Sequence, residues 1–242
     1  MSSIDRDVAA RPPVTRDEEV QVPVGPVTLA GHLVIPEKPT GIVVFAHGSG
    51  SSRHSPRNRA VADVLNRAGL ATLLFDLLTP QEERLRTNVF DISLLAGRLV
   101  EVSNWLAAKS ETAALPLGYF GASTGAGAAL AAAADQGVKV AAVVSRGGRP
   151  DLAGRALKNV SAPTLLIVGS RDEAVLELNR QAKAMMPGTC ELAIVTGATH
   201  VFEEAGAIEK VAMLARDWFL EHLGRTTAAP GSNTNTDQRR TS

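Results

Sequence analysis

Apolar residues in this chain take two forms that alternate, short continuous runs and longer stretches with helical spacing. The runs at 42–46, 71–75, 117–120, 138–144, 164–168 and 192–195 are apolar at nearly every position. A strand with one wet face alternates apolar and polar residues, so unbroken runs predict parallel strands buried on both faces. Between them, the stretches 56–67, 90–109, 124–135, 173–186 and 206–222 carry apolar residues at helical spacing. Ser55 is placed to cap the first of these helices, and Pro56 takes the first helical position, where a missing N–H costs nothing. Ahead of them, 20–24 and 27–34 alternate with a period of two around Gly25-Pro26, which predicts an antiparallel hairpin at one edge of the sheet. The whole pattern predicts an α/β fold: a mostly parallel, doubly wound sheet with helices on both faces. The reactive crevice of such a sheet lies at the C-terminal ends of its strands.

At 242 residues and 45% apolar content the chain can bury one substantial core. Residues 1–19 are polar, include Pro12 and Pro13 and lack the apolar segment of a secretory signal. They are read as a flexible N-terminal segment, 20–224 as the domain, and 225–242 as a disordered tail whose Thr, Ala, Gly, Asn and Ser show no apolar periodicity. The 25 Lys and Arg balance the 25 Asp and Glu, so charge points to neither nucleic acid nor a membrane surface as partner. No apolar run approaches the roughly 18 residues of a membrane span, and a cytoplasmic protein is expected. The single cysteine, Cys190, opens a strand and is expected to be packed rather than reactive. Without C-x-x-C or H-E-x-x-H spacing, no metal or other cofactor is expected. No strand pattern or exposed apolar helix marks an oligomer interface.

The chemistry concentrates at strand ends. Gly118 to Gly127 runs from a buried strand through Gly121-Ala122-Ser123-Thr124-Gly125 into a helix of small residues. A strand–turn–helix of this kind lifts a serine oxygen clear of the sheet, and Gly121 and Gly125 remove side chains that would clash across the turn. Ser123 then sits at a helix N-terminus, where the Thr124 amide and the helix dipole can stabilise an oxyanion. Asp172 follows the 164–168 run and His200 the 192–195 run, so the chain order is Ser, Asp, His, the order of α/β-hydrolases. Taken alone, Asp172 reads more often as the cap of the helix at 173–186, and His200 reads as a loop histidine as readily as a base. Together, at successive strand ends after the serine turn, the three read as a nucleophile, acid and base. Asp151 and Asp76 also lie near strand ends and are rival acids.

After the run at 42–46 comes His47-Gly48-Ser49-Gly50-Ser51-Ser52. Its glycines let backbone amides approach a substrate oxygen, with Ser49 as the expected second oxyanion donor, Gly48 the alternative, and His47 holding the loop. Arg53, His54, Arg146 and Arg149 flank the crevice as candidates for binding a substrate carboxylate or phosphate, or as solvated loop cations. The segment 79–91 is expected to be a charged loop near the same rim that shapes access.

On these motifs, with Ser145 to Asp151 and Gly197 to His200, the chain resembles the dienelactone hydrolase family of α/β-hydrolases over roughly residues 20–223. The resemblance implies a compact hydrolase with no separate lid domain, and only 19 residues, Ser145 to Pro163, separate the two strands where a lid is often inserted. Family members in the narrow sense carry cysteine at the elbow; Ser123 stands there in this chain, as in the broader esterase-like group. The expected function is hydrolysis of a small-molecule carboxylic ester, lactone or thioester through an acyl-enzyme on Ser123. Acyl transfer or peptide cleavage would use the same parts, and a small-molecule-binding or partner-regulating protein with little turnover is the alternative from another class.

Overall fold

A computed structural model describes residues 13–224. The expected tail at 225–242 and the first twelve residues lie outside the described part. Eight strands form one sheet: β1 (Val14–Val24), β2 (Val27–Pro36), β3 (Ile42–Ala46), β4 (Ala71–Phe75), β5 (Leu117–Ala122), β6 (Val140–Arg146), β7 (Thr164–Gly169) and β8 (Cys190–Val195). Their spatial order is β1-β2-β4-β3-β5-β6-β7-β8. β2 pairs antiparallel with both β1 and β4, and every pairing from β4 through β3 to β8 is parallel.

The helices are α1 (Pro56–Arg67), α2 (Pro80–Glu83), α3 (Arg86–Val89), α4 (Ile92–Ala107), α5 (Thr124–Ala133), α6 (Glu173–Met185) and α7 (Ala207–Leu223). A 3₁₀ segment at Pro150–Asn159 occupies the β6–β7 connection, where a lid would be inserted. Each parallel strand divides its side chains between two cores, as the unbroken apolar runs require. On β3, Ile42, Val44 and Ala46 pack with α4 and α5, whereas Val43 and Phe45 pack with α1 and α7. Phe45 and Phe120, opposite each other on β3 and β5, bring their ring centroids to 4.8 Å in the second core. α5, made almost wholly of Gly and Ala, is buried at every position except Ala131. Only small side chains let it lie this close to β5, α4 and the 3₁₀ segment.

Two expectations change. The first strand begins at Val14, within the stretch read as flexible, because pairing rather than burial orders its polar half. Asp17 and Glu19 lie 2.9 and 3.2 Å from the two ring nitrogens of His32 on β2, and the Thr15 hydroxyl donates to the Ile35 carbonyl at 2.9 Å. The backbone pairs from Val14 opposite Pro36 down to Val24 opposite Val27, leaving a charged edge strand. Second, the charged rim at 79–91 holds the two short helices α2 and α3. α2 is closed by a capping box in which Thr79 Oγ1 accepts from the Glu82 amide and Glu82 accepts from the Thr79 amide. The same carboxylate pairs with Arg98 of α4 at 2.7 Å, and Arg98 donates to the Val24 carbonyl, so the rim is anchored to the hairpin. Among the described residues no helix is long and apolar enough to cross a membrane.

Candidate active site

Ser123 follows β5 and precedes α5 in a conformation that side chains rarely adopt, φ 51° and ψ −120°. Strain of this kind costs about 1–3 kcal/mol and persists only where its surroundings fix it. Here the Ser123 amide donates to the Arg146 carbonyl at 3.2 Å, and the Ser123 carbonyl accepts from the amides of Ala126 and Arg149 at 3.1 and 3.0 Å. The two elbow glycines are required by close backbone approach. A methyl group on Gly121 would lie 2.8 Å from the Ala126 nitrogen, and one on Gly125 would lie 2.6 Å from the Ala46 carbonyl carbon. Gly48 presses against the serine from the other side, since a methyl group there would lie 3.1 Å from Ser123 Cβ.

Asp172 occupies the cap position of α6, yet its side chain makes no capping hydrogen bond. Its Oδ2 instead accepts from Nδ1 of His200 at 2.6 Å, and Nε2 of His200 lies 3.3 Å from Ser123 Oγ. The helix-cap reading of Asp172 therefore gives way, because the carboxylate turns toward an imidazole 28 residues along the chain. With the Nδ1 proton held by Asp172, Nε2 is left to accept the serine proton. Asp172 is 15% exposed and His200 40%, so the carboxylate is shielded while the imidazole stays open to solvent and substrate.

The loops carrying these two residues are sewn to each other. The Arg171 amide donates to the Ala198 carbonyl at 2.9 Å, the Ser170 hydroxyl accepts from the Gly197 amide at 2.8 Å, and Glu204 accepts from the Thr199 amide at 3.1 Å. Phe202, two residues after His200 and with φ 57°, is buried in the second core and ties that loop to it. Glu204 and Phe202 escaped the sequence reading because neither belongs to a periodic pattern.

Ser49 and Thr124, the two expected oxyanion donors, line one small cavity of about 20 Å³ together with Gly48, Gly50, Leu77, Leu78, Glu83, Val89 and Leu95. As the first residue of α5, Thr124 has an amide with no partner within the helix. His47 ties the opposite loop in place: Nδ1 lies 2.9 Å from the Gly48 carbonyl, and Nε2 lies 3.2 Å from the Leu77 amide. An amide can only donate, so Nε2 accepts, the proton is on Nδ1, and the ring is neutral. Burial pushes its pKa below the ordinary histidine value, against the weaker opposing pull of Gly48, Asp76 and Glu83.

The cations expected at the crevice separate into committed and uncommitted groups. Arg53 donates from its backbone to Asp76 at 2.8 Å, and its guanidinium pairs with Asp76 at 2.5 Å and Glu19 at 3.0 Å. His54 accepts from Arg59 at 2.8 Å, and Arg149 grips Asp151 with two hydrogen bonds of 2.8 and 2.7 Å. These partners occupy Arg53, His54 and Arg149 within the protein, and they equally engage the rival acids Asp76 and Asp151. Among the described residues Arg146 has no carboxylate partner; Nη2 donates to Asn58 Oδ1 at 3.3 Å.

The family model of the α/β-hydrolase domain matches residues 39–213, which include all three residues of this relay. A dienelactone hydrolase from Anabaena variabilis is 57% identical, with a TM-score of 0.83 over 86% of this chain and 98% of that one. The chain belongs to the α/β-hydrolases, in their dienelactone hydrolase-like family. An esterase from Pyrococcus furiosus shares the fold at 19% identity, with a TM-score of 0.68 over 86% of this chain and 94% of that one. A protein of Mycobacterium tuberculosis named "Putative phosphoribosyl transferase" is 70% identical over 217 residues, 90% of this chain. The chain spans about half of that relative, 49% of its length.

Proposed function

We propose that this α/β-hydrolase cleaves a carboxylic ester, lactone or thioester through an acyl-enzyme on Ser123. The observation that carries the reading is the relay of two short contacts, Asp172 to His200 at 2.6 Å and His200 to Ser123 at 3.3 Å, ending on a serine held at positive φ. In the first half-reaction Ser123 Oγ attacks the acyl carbonyl as His200 Nε2 takes its proton, and Asp172 stabilises the imidazolium. The tetrahedral oxyanion is held by backbone amides at Thr124 and Ser49, each such donor contributing about 2.7–4 kcal/mol to transition-state stabilisation. His200 then passes its proton to the departing alkoxide or thiolate. Water, deprotonated by His200, attacks the acyl-enzyme in the second half-reaction and releases the acid.

Acyl transfer, in which an alcohol or thiol replaces water as acceptor, is the second reading, and the same residues would serve it. Intact-protein mass after treatment with a fluorophosphonate tests the reading. A single adduct in the wild type, absent in Ser123→Ala, is expected. If both proteins are labelled alike, or neither is, Ser123 is not an activated nucleophile. Product analysis of an ester reaction with and without added alcohol separates hydrolysis from transfer.

A further inference from the structure

Among the described residues Arg146, near the relay, has no anionic partner, and its surroundings are built. It ends β6 between Ala122 of β5 and Ile167 of β7, and its carbonyl holds the Ser123 amide. Two residues on from Val144, its side chain follows that residue to the α1 and α7 face of the sheet, where it is 7% exposed. There the guanidinium lies 5.8 Å from the Phe202 ring centroid, and the buried Nε has no acceptor. Arg57 is its cationic neighbour, and the buried Nε of Arg57 also lacks an acceptor. Arg57 pairs with Glu203 at 3.5 Å, and that carboxylate is 71% exposed. Arg57 and Asn58 are the second and third residues of the twelve-residue helix α1, so the cluster sits at the positive end of the helix dipole.

Burying a guanidinium beside a second one is costly unless an anion joins them. Burial first, and Arg57 second, push the Arg146 pKa down to about 10, which still leaves it charged at neutral pH. A carboxylate would balance one of the two charges. A phosphate monoester carries close to two and offers three acceptor oxygens for the two guanidinium groups.

We infer that Arg146 and Arg57, at the N-terminus of α1, bind the phosphate of a phosphomonoester-bearing substrate and thereby hold its acyl carbonyl at Ser123. The inference deepens the hydrolytic reading and rests on it for the role of Ser123. Arg146, clamped by Asn58 and Phe202, supplies the fixed half of the site, and the more exposed Arg57 supplies the half that can adjust.

The test compares 4-nitrophenyl esters of butanoate chains ending in a phosphate, a carboxylate or a methyl group, with binding of inorganic phosphate followed by calorimetry. The phosphate ester should exceed the neutral ester in kcat/KM by about tenfold or more, the worth of one charge-assisted hydrogen bond. That ratio should collapse in Arg146→Met and in Arg57→Gln, the second variant serving if the first folds poorly. Inorganic phosphate should bind the wild type and Ser123→Ala saturably, and bind Arg146→Met at least tenfold more weakly. Equal phosphate binding by wild type and both arginine variants, or none by any protein, would overturn the site. A carboxylate ester preferred over the phosphate ester would overturn the phosphate assignment. Phosphate binding without any preference for the phosphate ester would overturn the substrate role. Phosphate binding by Ser123→Ala, together with a wild type that turns over no ester, would support the site and remove only the hydrolytic reading.

Discussion

Replacing Gly125 by alanine tests whether the elbow and the oxyanion loop depend on backbone contact. The added methyl group would stand 2.6 Å from the Ala46 carbonyl carbon and nearer still to the carbonyl oxygens of Ala46 and His47, where ordinary contact begins at 3.4 Å. None of these atoms belongs to a side chain that can rotate away. The end of β3 and the loop from His47 to Gly50 must therefore retreat by about 0.8 Å or more, or the serine turn must. Overpacking of this kind costs about 1–3 kcal/mol of stability. Displacing a catalytic donor by about 1 Å costs on the order of 100-fold in rate. Gly97→Ala is the matched control. It lies on the exposed side of α4 with nothing within 4 Å of the new methyl group, so it should gain about 0.5–1 kcal/mol from helix propensity. Urea denaturation of both variants measures the stabilities, and the second-order rate of fluorophosphonate labelling measures the site. A Gly125→Ala protein as stable and as reactive as wild type would refute the packing argument, because no rearrangement could then have been needed.

Asp172→Asn should lower ester turnover by about 10⁴-fold with little change in KM, since a neutral amide can neither stabilise the imidazolium nor enforce the Nδ1 proton; a loss below tenfold in steady-state kcat would remove Asp172 from the relay. His47 makes a pH prediction. Its folded pKa lies below the ordinary value of 6.5, so the stability from its neutral ring is present above pH 6.5 and is lost as pH falls through the depressed folded value. His47→Asn should therefore cost about 1–3 kcal/mol at pH 8 through the orphaned Leu77 amide, with the gap to wild type narrowing at pH 5. Parallel urea midpoints across that range would contradict the assignment.

The elements of the fold were legible because each is written in local pattern. Continuous apolar runs announced strands buried on two faces, and Ser55-Pro56 marked the start of α1, where Ser55 Oγ accepts from the Asn58 amide. The serine turn was legible for the same reason, since Gly121, Ser123 and Gly125 fall within five residues. Asp172 and His200 could be nominated from their positions at strand ends. Whether Asp172 capped a helix or faced the imidazole could not be read locally, because both roles suit one residue after a strand.

Pairing across long separations is where local pattern stops. Val14 to Glu19 lack the apolar period that signals a buried strand, and they are ordered by a partner strand and by His32. Arg53 and Arg146 look alike in sequence as crevice cations. Arg53 meets carboxylates 34 and 23 residues away, while Arg146 meets an amide oxygen 88 residues away and a second arginine. The sequence by itself determined the strands, the helices, the elbow and the order of Ser123, Asp172 and His200 at the strand ends, because backbone conformation and hydrophobic period are set by near neighbours. Only the tertiary structure decided which charges are neutralised by a partner within the described residues and which are not, because Coulomb energies depend on distances through space that the chain spacing does not encode.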